Sequence, residues 1–123
     1  MAMTLNLVTY SDADLINSYI HKTAAGAPID MTGYTLHLMV RKQANDPTAE
    51  FECTTQNGRI WWNDQVGGAF TLQIPLLILS VLAPGTYQQS LIAVQPVSLL
   101  RREMWRGTLE HAAGPTRWDL GTP

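Results

Sequence analysis

The sequence contains little cysteine and little charge. Cys53 is the one cysteine in 123 residues, so it cannot form an intramolecular disulfide, and no Cys-x-x-Cys spacing suggests a zinc module. Charged residues make up 15% of the chain, whereas soluble domains average about 25%. Because a free monomer seldom leaves large apolar patches in water, this composition predicts that other subunits cover part of the surface.

Positive charge and long apolar runs are also scarce. The formal net charge is −2, which gives no basic footprint for nucleic acid or an anionic membrane as the main partner. The longest apolar run, residues 74–83, contains Pro75 and Ser80 and is well short of the roughly 20 residues of a membrane helix. The N-terminal residues lack the basic and apolar regions of a signal peptide, so we expect synthesis and assembly in the cytosol.

Alternation of apolar and polar residues with a period of two dominates the chain and predicts strands. The predicted strands span residues 5–10, 15–22, 34–41, 49–54, 59–63, 69–74, 86–94 and 99–111. Asn57-Gly58 predicts a type I′ hairpin turn, because both residues tolerate positive φ. Residues 75–82, between Pro75 and Pro84-Gly85, predict one or two helical turns.

These elements predict a single all-β domain over residues 1–123. The expected fold is an antiparallel β-sandwich, Ig-like or jelly-roll-like, with about eight strands and one short helical plug at an end. The apolar positions of the alternating runs predict a core that contains Leu36, Leu38, Val40, Phe70, Leu72 and Leu91.

No residue pattern indicates catalysis, a cofactor or a metal. His21, His37 and His111 lie on different predicted strands without a second ligand at metal-binding spacing, so we expect surface or edge positions. Cys53 has no close positive neighbour in sequence, so a buried or edge-strand thiol is expected rather than a nucleophile. The sequence therefore predicts a protein that is not an enzyme, without a cofactor or metal and with no small-molecule ligand.

The acidic pairs and the arginines have simple interpretations. Two acidic pairs are present, Asp12 with Asp14 and Glu50 with Glu52. Calcium binding or acid–base catalysis would need further oxygen ligands or a partner group, so both pairs are interpreted as solvated charge. In a regular strand Arg102 and Arg106 share one face while Arg101 takes the other, so the three arginines predict no basic stripe.

Tryptophans and the chain ends are candidates for an interface. A strand must direct Trp61 and Trp62 to opposite faces, so one ring can be in the core and the other outside; in the alternative, both cap the domain's own core. The terminal segments, 1–10 and 112–123, are apolar with few charges, and we expect them to dock on a neighbouring subunit. The alternative for Trp118 is that it folds back over its own sandwich. The interface candidates are Trp61, Trp62, Arg117, Trp118, Leu120, Leu5, Leu7 and Tyr10.

One segment resembles a known motif. This segment is Gly26-Ala-Pro-Ile-Asp-Met-Thr-Gly-Tyr34, and an alternating strand that ends at Arg41 follows it. It is similar to a turn motif of small phage virion β-sandwich domains, which include the N-terminal domain of siphophage upper baseplate proteins. Met31 stands where the family usually has Leu. Further features in family order are Asn57-Gly58-Arg59-Ile60, Gly68 to Pro75, the apolar plug, Pro84-Gly85-Thr86-Tyr87 and Arg106-Gly107-Thr108-Leu109.

The turn motif also has a physical rationale. Its residues are Pro28, Asp30, Thr32, Gly33 and Tyr34. The Asp30 and Thr32 side chains can bond local backbone, and Gly33 can adopt positive φ, so the chain can reverse into Tyr34.

The resemblance, which covers about residues 15–111, implies a non-enzymatic structural subunit of a tailed-phage or prophage virion. Such a subunit would act as a tail, baseplate or connector adaptor or as a decoration protein, would be assembled in the bacterial host cytoplasm, and would bind other virion proteins and copies of itself. Baseplate relatives continue into fibre-like or receptor-binding regions, whereas this chain ends at Pro123, so we expect a small module that docks on a larger assembly. The alternative is a soluble β-sandwich that binds carbohydrate or a host factor through Trp61 or Trp62.

Overall fold

The computed structural model describes residues 3–115 and forms nine strands and one helix from them. The strands are β1 (Met3–Thr4), β2 (Leu7–Tyr10), β3 (Leu15–Ile20), β4 (Thr35–Arg41), β5 (Phe51–Thr54), β6 (Ile60–Asp64), β7 (Ala69–Ile74), β8 (Gly85–Val94) and β9 (Arg101–Ala112), and the helix is α1 (Leu76–Leu79). The predicted all-β, sandwich-like fold with one short helix is confirmed.

The strands form two sheets. In the large sheet the order is β1-β9-β8-β4-β5, with β2 also paired to β9, and in the small sheet the order is β3-β7-β6. Pairing is antiparallel except that β1 and β2 run parallel to β9. The predicted strand 5–10 is present as β2 but begins later, at Leu7, because the strand is interrupted at Leu5-Asn6 where the chain passes Gly107. A Cβ on Gly107 would lie 2.1 Å from the Leu5 carbonyl oxygen.

The core lies between the two sheets, and the alternation in the sequence positions it. Leu36, Leu38 and Val40 of β4 are fully buried, and the other three residues of the predicted core, Phe70, Leu72 and Leu91, are buried as well. Burial of each such side chain contributes about 1.5–3 kcal/mol. The predicted core is thus confirmed.

Four aromatic rings join the sheets across the interior. The Tyr19 and Trp105 ring centroids are 4.9 Å apart, and Phe70 stacks on Trp105 at 6.2 Å. Trp62 meets Phe70 edge-on at 6.1 Å. Such pairs add about 0.5–1.5 kcal/mol each to the burial of their area, so this cluster fixes the small sheet on the large one.

The Asn57-Gly58 segment does not form the predicted hairpin. It connects β5 in the large sheet to β6 in the small sheet, and Asn57 lacks the positive φ that a type I′ turn requires. Asn57 Oδ1 accepts the backbone N–H groups of Thr54 (2.9 Å) and Arg59 (3.1 Å). These local side-chain bonds allow the chain to leave one sheet and enter the other.

Helix α1 is the predicted plug. Pro75 precedes it with extended backbone, and Leu79 is buried against the core. The Leu76 N–H donates to Asp14 Oδ1, which fixes the helix start on the loop before β3. Leu77 and Val81 point outward and are exposed. In residues 3–115 no helix has the length and apolarity that crossing a membrane requires.

Candidate interaction surfaces

The turn motif adopts the predicted geometry. Asp30 Oδ1 accepts the Thr32 N–H at 2.9 Å and also the Thr32 hydroxyl, and these bonds lower the pKa of Asp30. Gly33 has φ +80, and the Tyr34 N–H donates to the Met31 carbonyl at 3.0 Å. Pro28 forms a bridge with Lys22 at the start of the same loop. The residues therefore act as the sequence predicts, by turning the chain into β4.

The loop that carries this motif is fixed to the small sheet. The His21 N–H donates to the Gly68 carbonyl at 2.9 Å, and the Ile29 N–H donates to the His21 carbonyl at 3.0 Å. The Gln65 side-chain amide donates to the Met31 carbonyl at 2.9 Å. These bonds fix the loop on the turn between β6 and β7, while Pro28, Asp30, Thr32 and Gly33 remain exposed.

Trp61 and Trp62 take opposite faces of β6. Trp62 packs against the core, whereas Trp61 is 39% exposed on the outer face. Trp62 is therefore part of the domain's own core, and Trp61 is the residue that a partner can reach.

The outer face of the small sheet forms the first apolar surface, called here the Trp61 face. Ile16 and Ile20 are exposed on it. Ser18 Oγ lies 2.8 Å from Thr71 Oγ1, which donates to Asn63 Oδ1 at 2.6 Å. These polar groups already bond one another. Burial of the Trp61 face by another protein would therefore leave few of them without a hydrogen-bond partner.

The loop between β8 and β9, residues 95–100, forms the second apolar surface, called here the hairpin tip. Val97, Leu99 and Leu100 are 93%, 67% and 63% exposed. The Gln95 N–H donates to the Leu100 carbonyl at 2.9 Å, and Ser98 Oγ donates to Gln95 Oε1 at 2.6 Å. The hairpin tip therefore holds three apolar side chains in water on an ordered backbone.

The N-terminal segment belongs to the domain's own fold. Leu7 is buried, and Leu5 packs partly against the core. Leu7 is therefore wrong as an interface residue, and Leu5 already contacts its own domain, because parallel pairing with β9 ties the segment down. Tyr10 is half exposed at the outside of β2, and its contact with a neighbour stays a prediction.

Histidine and cysteine side chains are the groups from which a metal site or a nucleophile could be built. Within the described range, no group of three His, Cys, Asp or Glu residues could hold a metal ion. Burial raises the pKa of the Cys53 thiol to about 12, which leaves it protonated and unreactive near neutral pH.

His111 corrects the expectation of a surface or edge position. It is buried at the point where β2 pairs with β9, and its Nδ1 lies 2.8 Å from Thr9 Oγ1. In residues 3–115 its Nε2 has no partner in hydrogen-bond geometry. Burial lowers the pKa of His111, and the backbone of Leu79 and Leu82 opposes that shift.

The arginines of β9 also differ from the prediction, because the strand contains a β-bulge. Leu91 pairs with Trp105, but the next residue, Ile92, pairs with Glu103, so Met104 is an extra residue. The bulge reverses the alternation, and Arg101 and Arg106 therefore share the outer face of the large sheet. Arg102 lies near His21, whose pKa falls through burial first and the Arg102 charge second.

Arg117, Trp118 and Leu120 lie outside the described residues, and their predicted contact with another subunit stays a prediction. Among the predicted candidates, the structure thus leaves Trp61 and Tyr10 accessible. The hairpin tip was not predicted, although the run Val97-Ser98-Leu99-Leu100 between two strands is a visible signal, since a hairpin loop is normally polar.

No known protein-family model matches this chain, and a search of curated proteins finds no match to it.

Proposed function

We propose that this protein is a non-enzymatic structural subunit of a tailed-phage or prophage virion, an adaptor or decoration protein that acts by docking on other virion proteins and on copies of itself. In this role the β-sandwich presents apolar surfaces, and neighbouring proteins bind to them. The observation that carries the proposal is the ordered, exposed hairpin tip.

The hairpin tip is costly for an isolated protein. Leu99 has φ +58, the one positive φ of a non-glycine residue in the described range, and a bulky residue in this conformation costs about 1–3 kcal/mol. Val97 and Leu100 beside it expose apolar area that contributes nothing to the fold. Burial of these apolar side chains against a neighbour would offset the cost of the strained backbone, because burial of apolar surface is the main driving force of association.

The Trp61 face supports the same proposal. Its polar groups bond within the sheet, and Asp64 at its border accepts the Gly67 N–H at 3.2 Å. An apolar face whose polar groups are already bonded suits contact with another protein. By itself it is small, since three short strands cover a few hundred Å² against about 800 Å² per partner in a stable complex. Assembly would therefore use the Trp61 face together with the hairpin tip.

Carbohydrate binding, the alternative function, would need free polar groups around Trp61. The Asn63, Asp64 and Gln65 side chains instead bond Thr71, Gly67 and Met31. Each of these side chains thus already uses one polar atom within its own domain, which favours the assembly role.

The experiment compares particles that contain different forms of the chain. Cells that carry its gene, with that gene deleted, are complemented with the natural protein or with the triple variant Val97→Ser/Leu99→Ser/Leu100→Ser, and particles are purified by density gradient. We expect the natural protein to sediment with the particles and the triple variant to stay in the soluble fraction. Leu77→Ser/Val81→Ser removes comparably exposed apolar side chains elsewhere and should leave incorporation unchanged.

Thermal melts of the purified variants separate assembly from folding. The triple variant should melt at or above the temperature of the natural protein, because it loses no buried contact. If it enters particles as the natural protein does, the hairpin tip is not the contact. Two results together would favour the alternative. The domain would bind an immobilised glycan and lose that binding in the Trp61→Ala variant, and it would be absent from particles.

A further inference from the structure

We propose that the outer face of the large sheet carries a binding groove for an extended acidic segment of another protein, here called the arginine groove. It has a volume of about 480 Å³ and lies across β4, β8 and β9. The site is distinct from the hairpin tip and the Trp61 face, and the inference does not rest on the virion role.

Strand register defines the floor of the arginine groove. Across β4, β8 and β9 the outward positions form four rows: Arg41, Gln88 and Thr108; Met39, Ser90 and Arg106; His37, Ile92 and Glu103; Thr35, Val94 and Arg101. Arg41 and Arg101 lie in the two end rows and Arg106 in the second row, and the apolar side chains of the groove are Met39, Ile92 and Val94.

Two of the three arginines lack an acidic partner. Arg106 bonds Glu103 at 2.9 Å. Arg41 donates to the Asp46 backbone carbonyl at 3.0 Å, and among residues 3–115 no carboxylate lies within 4 Å of Arg41 or Arg101. A guanidinium donates two parallel hydrogen bonds to a carboxylate. Arg101 can bind a ligand carboxylate in this way, and Arg41 can do so with the N–H groups that do not donate to the Asp46 carbonyl or to Met39 Sδ.

The spacing of the arginines suits an extended peptide. Arg41 and Arg101 are separated by three rows, or about 20 Å along the strands at roughly 3.3 Å per residue. About six residues of extended chain span that distance. Carboxylates near both ends of such a segment would reach the arginines, while its apolar side chains would cover Met39, Ile92 and Val94.

The surroundings favour a short acidic peptide over a nucleic acid. Glu52 occupies the outward position on β5 beside Met39, and Glu110 occupies the one beyond Thr108. These carboxylates border the arginine groove, so a ligand must place its negative charges at Arg41 and Arg101 and neutral groups elsewhere. A short peptide can meet that requirement, whereas a nucleic-acid backbone carries a charge on every phosphate.

The test uses a fluorescein-labelled eight-residue peptide in which Glu and Leu alternate, with fluorescence anisotropy at about 50 mM salt. We expect saturable binding that weakens as salt rises. The Arg41→Gln/Arg101→Gln variant should bind at least about tenfold more weakly, because it loses two charge-assisted contacts. The Lys22→Gln/Arg102→Gln variant removes the same net charge outside the groove and should bind as the natural protein does.

Three results would overturn the proposal. The first is no saturable binding of the acidic peptide, and the second is an equal loss in both double variants, which would mean a nonspecific charge effect. The third is preference for an oligothymidylate or for a peptide of alternating Lys and Leu. Arg101→Gln alone, at an exposed position, provides a second variant if the Arg41 change disturbs the loop at Asp46; it too must weaken binding.

Discussion

Trp105 donates its indole N–H to Gln89 Oε1 at 2.7 Å in the interior of the sandwich. The Gln89 amide nitrogen in turn donates to the Leu5 carbonyl, at 2.6 Å, and to the Thr108 carbonyl, at 3.3 Å. One buried side chain therefore links β8, β9 and the N-terminal segment.

The first prediction concerns this link. Gln89→Leu leaves the Trp105 N–H without its partner, and an unsatisfied buried polar group costs about 1–3 kcal/mol. Chemical denaturation should show this loss of unfolding free energy. Deletion of residues 1–5 removes one acceptor of Gln89, so the substitution should cost less in that background. Equal costs in both backgrounds would mean that Gln89 does not anchor the N-terminal segment.

The second prediction tests the register of β4. Leu38→Ala removes a fully buried side chain and should lower the unfolding free energy by about 2–5 kcal/mol. Met39→Ala, at the next residue but on the outer face, should cost less than about 0.5 kcal/mol. Denaturant melts measure both, and a reversed order would mean that the strand is rotated to the opposite face.

The third prediction compares two glycines with positive φ. Alanine at Gly26, where no heavy atom lies within 4 Å of the added Cβ, should cost about 1–2 kcal/mol through φ alone. Alanine at Gly68 would also place its Cβ 2.7 Å from the Ile29 carbonyl oxygen and 2.8 Å from that of His21. Gly68→Ala should therefore destabilise the protein more than Gly26→Ala in thermal melts, and equal costs would contradict the docking of this loop on the small sheet.

The fourth prediction is a pH dependence. Because the pKa of His111 is lowered in the folded protein from its ordinary value of 6.5, the unfolded chain binds a proton first as the pH falls. Stability is then complete above about pH 6.5 and decreases as the pH falls from there through the folded pKa. His111→Gln should reduce the slope of unfolding free energy between pH 7.5 and 5.5. His21, whose pKa shifts in the same direction, should account for part of the remaining slope, and an unchanged slope in His111→Gln would contradict this assignment.

The sequence predicted the parts of the fold that local periodicity controls. β4 alternates without interruption, so Leu36, Leu38 and Val40 were assigned to the core correctly. The turn at Asp30 and Gly33 was predictable for a similar reason, because its geometry depends on side chains within the same short segment.

The features that sequence reasoning missed depend on distant parts of the chain. Met104 adds one residue to β9 only relative to its neighbour β8, and this bulge places Arg101 and Arg106 on one face. Asn57-Gly58 has the composition of a hairpin turn, but β5 and β6 pair with different strands. His111 is buried where the N-terminal segment pairs with β9 and the backbone of Leu79 and Leu82 approaches its ring.

The proposed role requires this protein to be a permanent structural part of a virion. Quantitative mass spectrometry tests this on particles purified from cells that carry the gene, with isotope-labelled peptides of this chain as standards. We expect the chain to be present in a constant ratio to the major capsid protein, and we expect that ratio to survive a high-salt wash. Absence from the particles, or a ratio that falls steadily with each wash, would contradict the proposed role.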